Sequence, residues 1–273
     1  MNQQFGVCNL SLIPLRTEPS DRSEMCSQLL FGDHFTVLEG DEKWVRILTA
    51  YDEYEGWIDR KQFEEIEQAA YVALHDLNSI LGLSVSHHVL KTASNESLNL
   101  VAGSNIPGTV DNFFYLRDTK YKLEGTTMRP SRDNFKSGIR EAAMFYLNAP
   151  YLWGGKSVFG IDCSGFSQMV FRQFAIKLRR DAFQQAEQGE LVGFLQEAEA
   201  GDLAFFDNED GRITHVGIML DSERIIHASG RVKIDPIDNQ GIYSTELKKY
   251  THKLRIVKRF TGRSPISSQA YHH

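Results

Sequence analysis

Cys163, His215 and His227 are the residues of this chain whose types and order suit nucleophilic acyl transfer. An ordinary thiol has a pKa of about 8.5, so only a few per cent is the reactive thiolate at neutral pH. The positive end of a helix dipole and a neighbouring imidazolium both enlarge that fraction. Phe166, Val170 and Phe174 follow Cys163 at four-residue steps, which predicts a buried helix beginning at the cysteine and an ionised sulfur at its end. Ser164 and Gly165 are small enough to let a substrate carbonyl approach the backbone N–H groups there. His215 opens one strand-like run (215–220) and His227 closes the next (224–228). In triad logic His215 is the base and His227 its orienter, joined to it by a ring-to-ring hydrogen bond. With a turn at 221–224 the two lie at unequal distances from it, so adjacency requires uneven strands or a bulge.

The same residues have plainer readings. Free cysteine is among the most buried residue types, and an apolar helix is an ordinary place for one. A histidine at a strand end is usually a satisfied polar group. One cysteine and two histidines are also a ligand set, although no Cys-x-x-Cys or His-x-x-x-His spacing supports a metal site. His87-His88 is adjacent rather than ligand-spaced and reads as surface. Residue chemistry alone leaves core packing and catalysis side by side.

The elements that must hold these residues fall in the second half. Phe135, Ile139, Ala142, Ala143 and Tyr146 recur at three- and four-residue steps, predicting an amphipathic helix capped at Ser131, Asp133 or Asn134 and stopped by Pro150. A glycine corner, Trp153-Gly154-Gly155, precedes the cysteine helix. Strand runs follow at 201–206, 215–220, 224–228 and 254–260, so helices followed by strands argue an α+β domain with an antiparallel sheet. The front reads differently. Runs at 34–38, 43–48 and 54–59, separated by Gly and Asp turns, suggest a small β-barrel with Trp57 in its core. Phe63, Ile66 and Ala70 stand at helical spacing, and a second weak β region covers 84–90, 98–103 and 112–116. The expected division is a barrel over 1–66, a linker helix and second barrel over 67–130, a catalytic domain over 131–262 and a polar tail over 263–273.

With 273 residues the chain is long for one domain, and its composition is that of a globular protein. Thirty basic against 36 acidic residues give a net charge of −6, which argues against a general nucleic-acid binder. No apolar stretch approaches the ~18–20 residues of a membrane helix, and the first residues read as no secretory signal. Three cysteines do not make a disulfide framework, although Cys8 and Cys26 would be the pair to bridge in an oxidising compartment. The expectation is a cytoplasmic monomer with no membrane or nucleic-acid partner.

Pro150-Tyr151-Leu152-Trp153-Gly154-Gly155, Gly160-Ile161-Asp162-Cys163-Ser164-Gly165, Gly201-Asp202-Leu203, His215-Val216-Gly217-Ile218 and Ile226-His227-Ala228 stand in the order that resembles the NlpC/p60 family, papain-like bacterial peptidases that cut peptidoglycan peptides. The resemblance covers about residues 133–261. It implies an α+β papain-like domain preceded by one or two small bacterial SH3-like β-barrels, with Cys163 as nucleophile, His215 as base, His227 as the third polar residue and Tyr151 beside the nucleophile. Tyr151 is also a natural core aromatic under the glycine corner. The front half resembles that of γ-D-glutamyl-L-diamino-acid endopeptidases of the dipeptidyl-peptidase VI type. These cut murein peptides bearing a free N-terminal L-Ala. By that resemblance Asp162 and Ser164 meet the substrate amine, Asp181 binds substrate while also suiting a helix cap, Tyr54 contacts substrate from the barrel, and Glu24 is the barrel's acidic partner, a position that could instead fall at Cys26. No metal or other cofactor is implied. The expected reaction releases L-Ala-D-Glu, and N-acetylating the alanine is expected to slow it at least ~100-fold, because acceptors built for an ammonium would be left unpaired. The alternatives are a related cysteine amidase or acyltransferase, and an inactive wall-binding protein whose barrels do the binding.

Overall fold

The computed structural model describes residues 3–75, 80–85 and 87–260, so the expected tail at 263–273 lies outside the described residues. Seven short strands come first: β1 (Gln4–Val7), β2 (Leu12–Arg16), β3 (Met25–Leu30), β4 (His34–Gly40), β5 (Trp44–Thr49), β6 (Glu55–Asp59) and β7 (Glu64–Ile66). They pair antiparallel in the order β3-β2-β6-β5-β4-β1-β7 and curl around Ile13, Leu15, Phe35, Val45, Ile47 and Ile58. Alternation decides which side chains enter this core. In β5, Val45 and Ile47 point in while Arg46 points out to Glu39 and Glu55. By the same alternation Ile58, not Trp57, is the core residue of β6, and Trp57 stays half-buried outside it. The helical spacing at Phe63 and Ile66 was coincidental. Phe63 closes the barrel core and Ile66 pairs with Phe5, so the helix, α1 (Gln68–His75), begins only after β7.

The middle segment contains β8 (Ile80–Leu81), β9 (His87–Lys91), β10 (Glu96–Leu100), β11 (Phe113–Leu116), β12 (Thr119–Glu124) and β13 (Thr127–Met128). β9 to β12 form a four-stranded antiparallel sheet in the order β10-β9-β12-β11. Its apolar face packs on Phe5, Val7, Phe31 and Ile66 of the first barrel, so the two share a core. β12 carries the clearest alternation of the segment, with Tyr121 and Leu123 buried. The His87-His88 pair is not simply surface. β9 turns His87 inward, where it is 3% exposed and contacts the Gly82 carbonyl, and His88 outward onto Glu124.

The last part is built on α2 (Phe135–Met144), the hairpin β14 (Lys156–Ser157) and β15 (Gly160–Ile161), α3 (Cys163–Arg172), α4 (Ala182–Ala186), and strands β16 (Glu190–Val192), β17 (Leu203–Asp207), β18 (Ile213–Met219), β19 (Arg224–Ser229), β20 (Arg231–Asp238), β21 (Gly241–Ser244) and β22 (Lys249–Arg259). α2 ends before Pro150, the chain reversing through Asn148 at φ +68°. The sheet runs β16-β22-β17-β18-β19-β20-β21, and β21 also pairs with β22, so strands β17 to β22 close on themselves. Its outer face carries Leu203, Phe205, Val216 and Ile218 against Phe166, Met169 and Val170 of α3. Its inner face carries Ala204, Phe206, Met219 and Ile225. The three cysteines are free, so Cys8 and Cys26 do not bridge. Among the described residues no helix is long and apolar enough to cross a membrane.

The barrel is locked to this domain by buried polar bonds. Arg172 of α3 donates to Asp33 at 2.8 Å, Gln168 to Asp52 at 2.7 Å, and Arg180 to Ser27 at 2.8 Å. Gly154, at φ +77°, lies so close to β3 that a Cβ there would sit 2.3 Å from the Met25 carbonyl oxygen. The glycine corner is therefore what lets the loop before α3 lie directly against the barrel.

Candidate active site

Cys163 is the first residue of α3, as its periodicity predicts, and Asp162 is the N-cap. The Asp162 carboxylate accepts from Gly165 N–H at 2.6 Å and from Gly154 N–H at 2.8 Å, fixing the glycine corner onto the helix start. Arg180, 1% exposed, takes the remaining capacity: Nη2 donates to Asp162 at 2.6 Å, and Nη1 to Asp162 at 3.1 Å and to the Ser164 hydroxyl at 2.9 Å. Asp162, expected from the resemblance to meet the substrate amine, is in this structure bonded within the protein. Both of its oxygens are spent inside the protein, and Ser164 is tied to the same guanidinium. Arg180 was missed in the sequence, although a buried aspartate before the nucleophile demands a cation from somewhere in the chain.

The Cys163 sulfur receives the backbone N–H of Val216, the residue after His215, so the helix start abuts β18 at the base. Gly217 pairs directly with His227. His215 and Gly217 share a face of β18, so His215 and His227 are diagonal neighbours and need no bulge between their strands. Of the two expectations, uneven strands and a bulge, the register shows the first: His215 lies two residues beyond the Gly217–His227 pair, with no bulge. A Cβ on Gly217 would lie 2.8 Å from His227 Cβ and 2.7 Å from Ile225 Cδ1. His215 Nε2 and His227 Nδ1 are 2.9 Å apart, and His227 Nε2 meets Asp235 at 3.2 Å.

This network assigns the tautomers. The Asp235 carboxylate accepts, so His227 Nε2 carries hydrogen and Nδ1 accepts. His215 then donates from Nε2 and keeps Nδ1 as its basic nitrogen. Asp235, held to about pKa 2 against the opposing effect of burial by His227 and the Thr245 backbone, is the anchor. It sits in β20, a strand the sequence reading did not place, eight residues beyond His227. His252 of β22 was also missed. Its ring stacks on His215 with centroids 4.1 Å apart and planes at 25°.

Burial works against an ionised sulfur in this structure. Cys163 is 7% exposed, and burial, reinforced by the Asp162 charge, pushes its thiol up to about 12. Burial, with His252 and His227 alongside, holds His215 well below the usual imidazole range. Burial thus favours the neutral thiol and the neutral imidazole. Tyr151 is half-buried at this corner, and burial, then Cys163 and Asp162, raise its phenol.

A second group assembles where the barrel meets the domain. The Tyr54 hydroxyl donates to both oxygens of Asp181 at 3.2 Å. Asp181 also heads α4, where Gln184 Oε1 accepts from its N–H at 3.1 Å, half of a capping box. Trp153 Nε1 donates to Glu24 at 2.6 Å. Cys26, half-buried between them and pushed up to about 11 by burial, feels the charges of Arg180, Asp181 and Glu24. Burial raises Asp181, with Arg180 and the Tyr54 hydrogen bond opposing it.

Residues 148–251 match the NlpC/P60 family, and residues 15–63 match the bacterial dipeptidyl-peptidase Sh3 domain. The chain is 29% identical over 239 residues to a gamma-D-glutamyl-L-lysine dipeptidyl-peptidase of Bacillus subtilis, covering 83% of this chain and 76% of that protein. It is 26% identical over 254 residues to dipeptidyl-peptidase 6 of Lysinibacillus sphaericus, covering 83% and 89%. The crystal structure of an NlpC/P60 family protein from Bacillus cereus superposes with a TM-score of 0.78 at 19% identity, covering 94% of this chain and 100% of that one. The fold of that protein therefore extends over both halves of this chain.

Proposed function

We propose, from the premise that this chain is an NlpC/P60 cysteine peptidase with a bacterial SH3 domain before it, that it cleaves the γ-D-glutamyl–diamino-acid bond of murein peptides with a free N-terminal L-Ala. The observation that carries this reading is the Tyr54–Asp181 pair, contributed by two domains and bonded at 3.2 Å. A half-buried carboxylate at the barrel–domain boundary, its pKa raised by burial against the pull of Arg180, is a receptor for an ammonium. The B. subtilis and L. sphaericus relatives carry names of the same peptidase type.

In the reaction the substrate's γ-carbonyl meets Cys163 Sγ. The thiol proton passes to His215 Nδ1 as the S–C bond forms, so ionisation accompanies attack. The Cys163 N–H and the Tyr151 hydroxyl take the oxyanion. His215 then gives its proton to the departing amine of the diamino acid, and the C–N bond breaks to leave a thioester. His215 activates water in the second half, L-Ala-D-Glu departs, and the thiol is restored. His227 and Asp235 keep the base in the tautomer that performs both transfers. The proposal extends to a role in recycling wall peptides as a cytoplasmic monomer.

Mass spectrometry of L-Ala-γ-D-Glu-L-Lys and its diaminopimelate analogue after incubation tests the reading. The expected products are L-Ala-D-Glu and the free diamino acid, absent with Cys163→Ala. Release of the dipeptide by that variant, or cleavage at another bond, overturns it.

A further inference from the structure

His215, His227 and His252 bring three ring nitrogens within 4.8 Å of one another. The stack argues against a cation cage. With the rings of His215 and His252 at 25°, their in-plane lone pairs run side by side rather than converging on one point. A stack does something else. It covers one face of the base with a π-surface, at a centroid distance of 4.1 Å, well inside the range at which a cation is attracted to an aromatic face.

We propose that His252 is a positioning residue for His215: its uncharged ring holds the plane of the base and stabilises the imidazolium formed when the Cys163 thiol gives up its proton. The inference rests on the reading of His215 as the base. His252 is placed for this by the closure of the sheet, where β22 pairs with β21 and His252 lies opposite Ile242. Its Nδ1 is 2.9 Å from the Thr251 hydroxyl, which fixes its ring, and Phe206 packs edge-on at 5.9 Å. The titratable groups facing it are His215 of β18, His227 of β19, and Lys233 and Asp235 of β20. Burial first, then His227 and Lys233, hold His252 down to about 4. The ring is therefore neutral wherever the enzyme must form its imidazolium. Once protonated, it would oppose a second positive charge stacked on it.

The test compares kcat and KM on L-Ala-γ-D-Glu-L-Lys for wild type, His252→Phe, His252→Leu and His215→Ala, with a thermal melt for each. Phe keeps the aromatic face and cannot titrate, whereas Leu keeps apolar volume without the face. His252→Leu is expected to lose about tenfold in kcat at neutral pH with KM unchanged, and His252→Phe to stay within about threefold of wild type. The acid limb of kcat follows protonation of His215, and because the charge of a protonated His252 opposes that protonation, the limb is expected to move to higher pH in His252→Phe. If Leu fails to fold, the limb in the Phe variant decides alone. A folded His252→Leu with wild-type kcat, or a Phe variant whose acid limb coincides with wild type, overturns the proposal while a dead His215→Ala leaves the function standing. An active His215→Ala removes the base itself, and both fall.

Discussion

Burial favours neutral forms of the sulfur and its base, and the charge of this pair separates two kinds of cysteine enzyme. In a pre-formed ion pair the thiolate is present across a broad pH range, and alkylation is fast and flat through it. Here burial lifts Cys163 and depresses His215, which works against both charged forms before substrate arrives. Iodoacetamide inactivation of the free enzyme is expected to be slow at neutral pH and to climb as pH rises above about 8, as thiolate forms without help. Rates measured from about pH 5 to 10 decide this. A plateau between about pH 5 and 8 would mean that the ion pair exists at rest. Composition and spacing could locate this cysteine but not its charge. Its protonation depends on Asp162, Arg180 and the depth of the helix start, which come together only in three dimensions.

The strand pair β18–β19 shows how a backbone choice sets chemistry. Gly217 faces His227, and a Cβ there would press on His227 Cβ and on the Ile225 side chain. Gly217→Ala is expected to push His227 from His215, dropping kcat about 100-fold, and to cost about 1–3 kcal/mol of stability from overpacking. Steady-state kinetics with urea denaturation measures both, and a fully active Gly217→Ala would show that the diagonal bond is dispensable. The glycine and both histidines stood in plain view in the sequence, as did the start of α3, because a four-residue apolar period and strand-like runs are local signals. Asp235 and His252 were not legible. They reach the histidines only through the pairing of β20 with β19 and the closure of β22 on β21, and neither register is written in the local pattern. The strand Glu64–Ile66 was hidden for a related reason: three residues are too few to show a period, and Ile66 is claimed by a strand some sixty positions earlier.

The barrel and the peptidase domain work as one body, because Arg172–Asp33 and Arg180–Ser27 are buried bonds across their boundary. A fixed wall turns the Tyr54–Asp181 pair into a gauge of what the substrate carries at its end. Asp181→Asn isolates this, since asparagine caps a helix as well as aspartate does and α4 should survive the change. Losing the charge is expected to raise KM for a free-amine peptide at least about 30-fold, with little effect on an N-acetylated one, so the wild-type preference collapses. The pH dependence has a definite sign. Asp181 is raised above the ordinary carboxylate range by burial. It binds an ammonium only when ionised. As pH falls through that raised pKa, wild-type KM should climb, whereas KM of Asp181→Asn should stay flat over the same interval. Kinetics on free and acetylated tripeptides across that interval test both halves. Equal KM values for Asp181→Asn and wild type on the free peptide would leave the barrel a wall with no part in choosing the substrate.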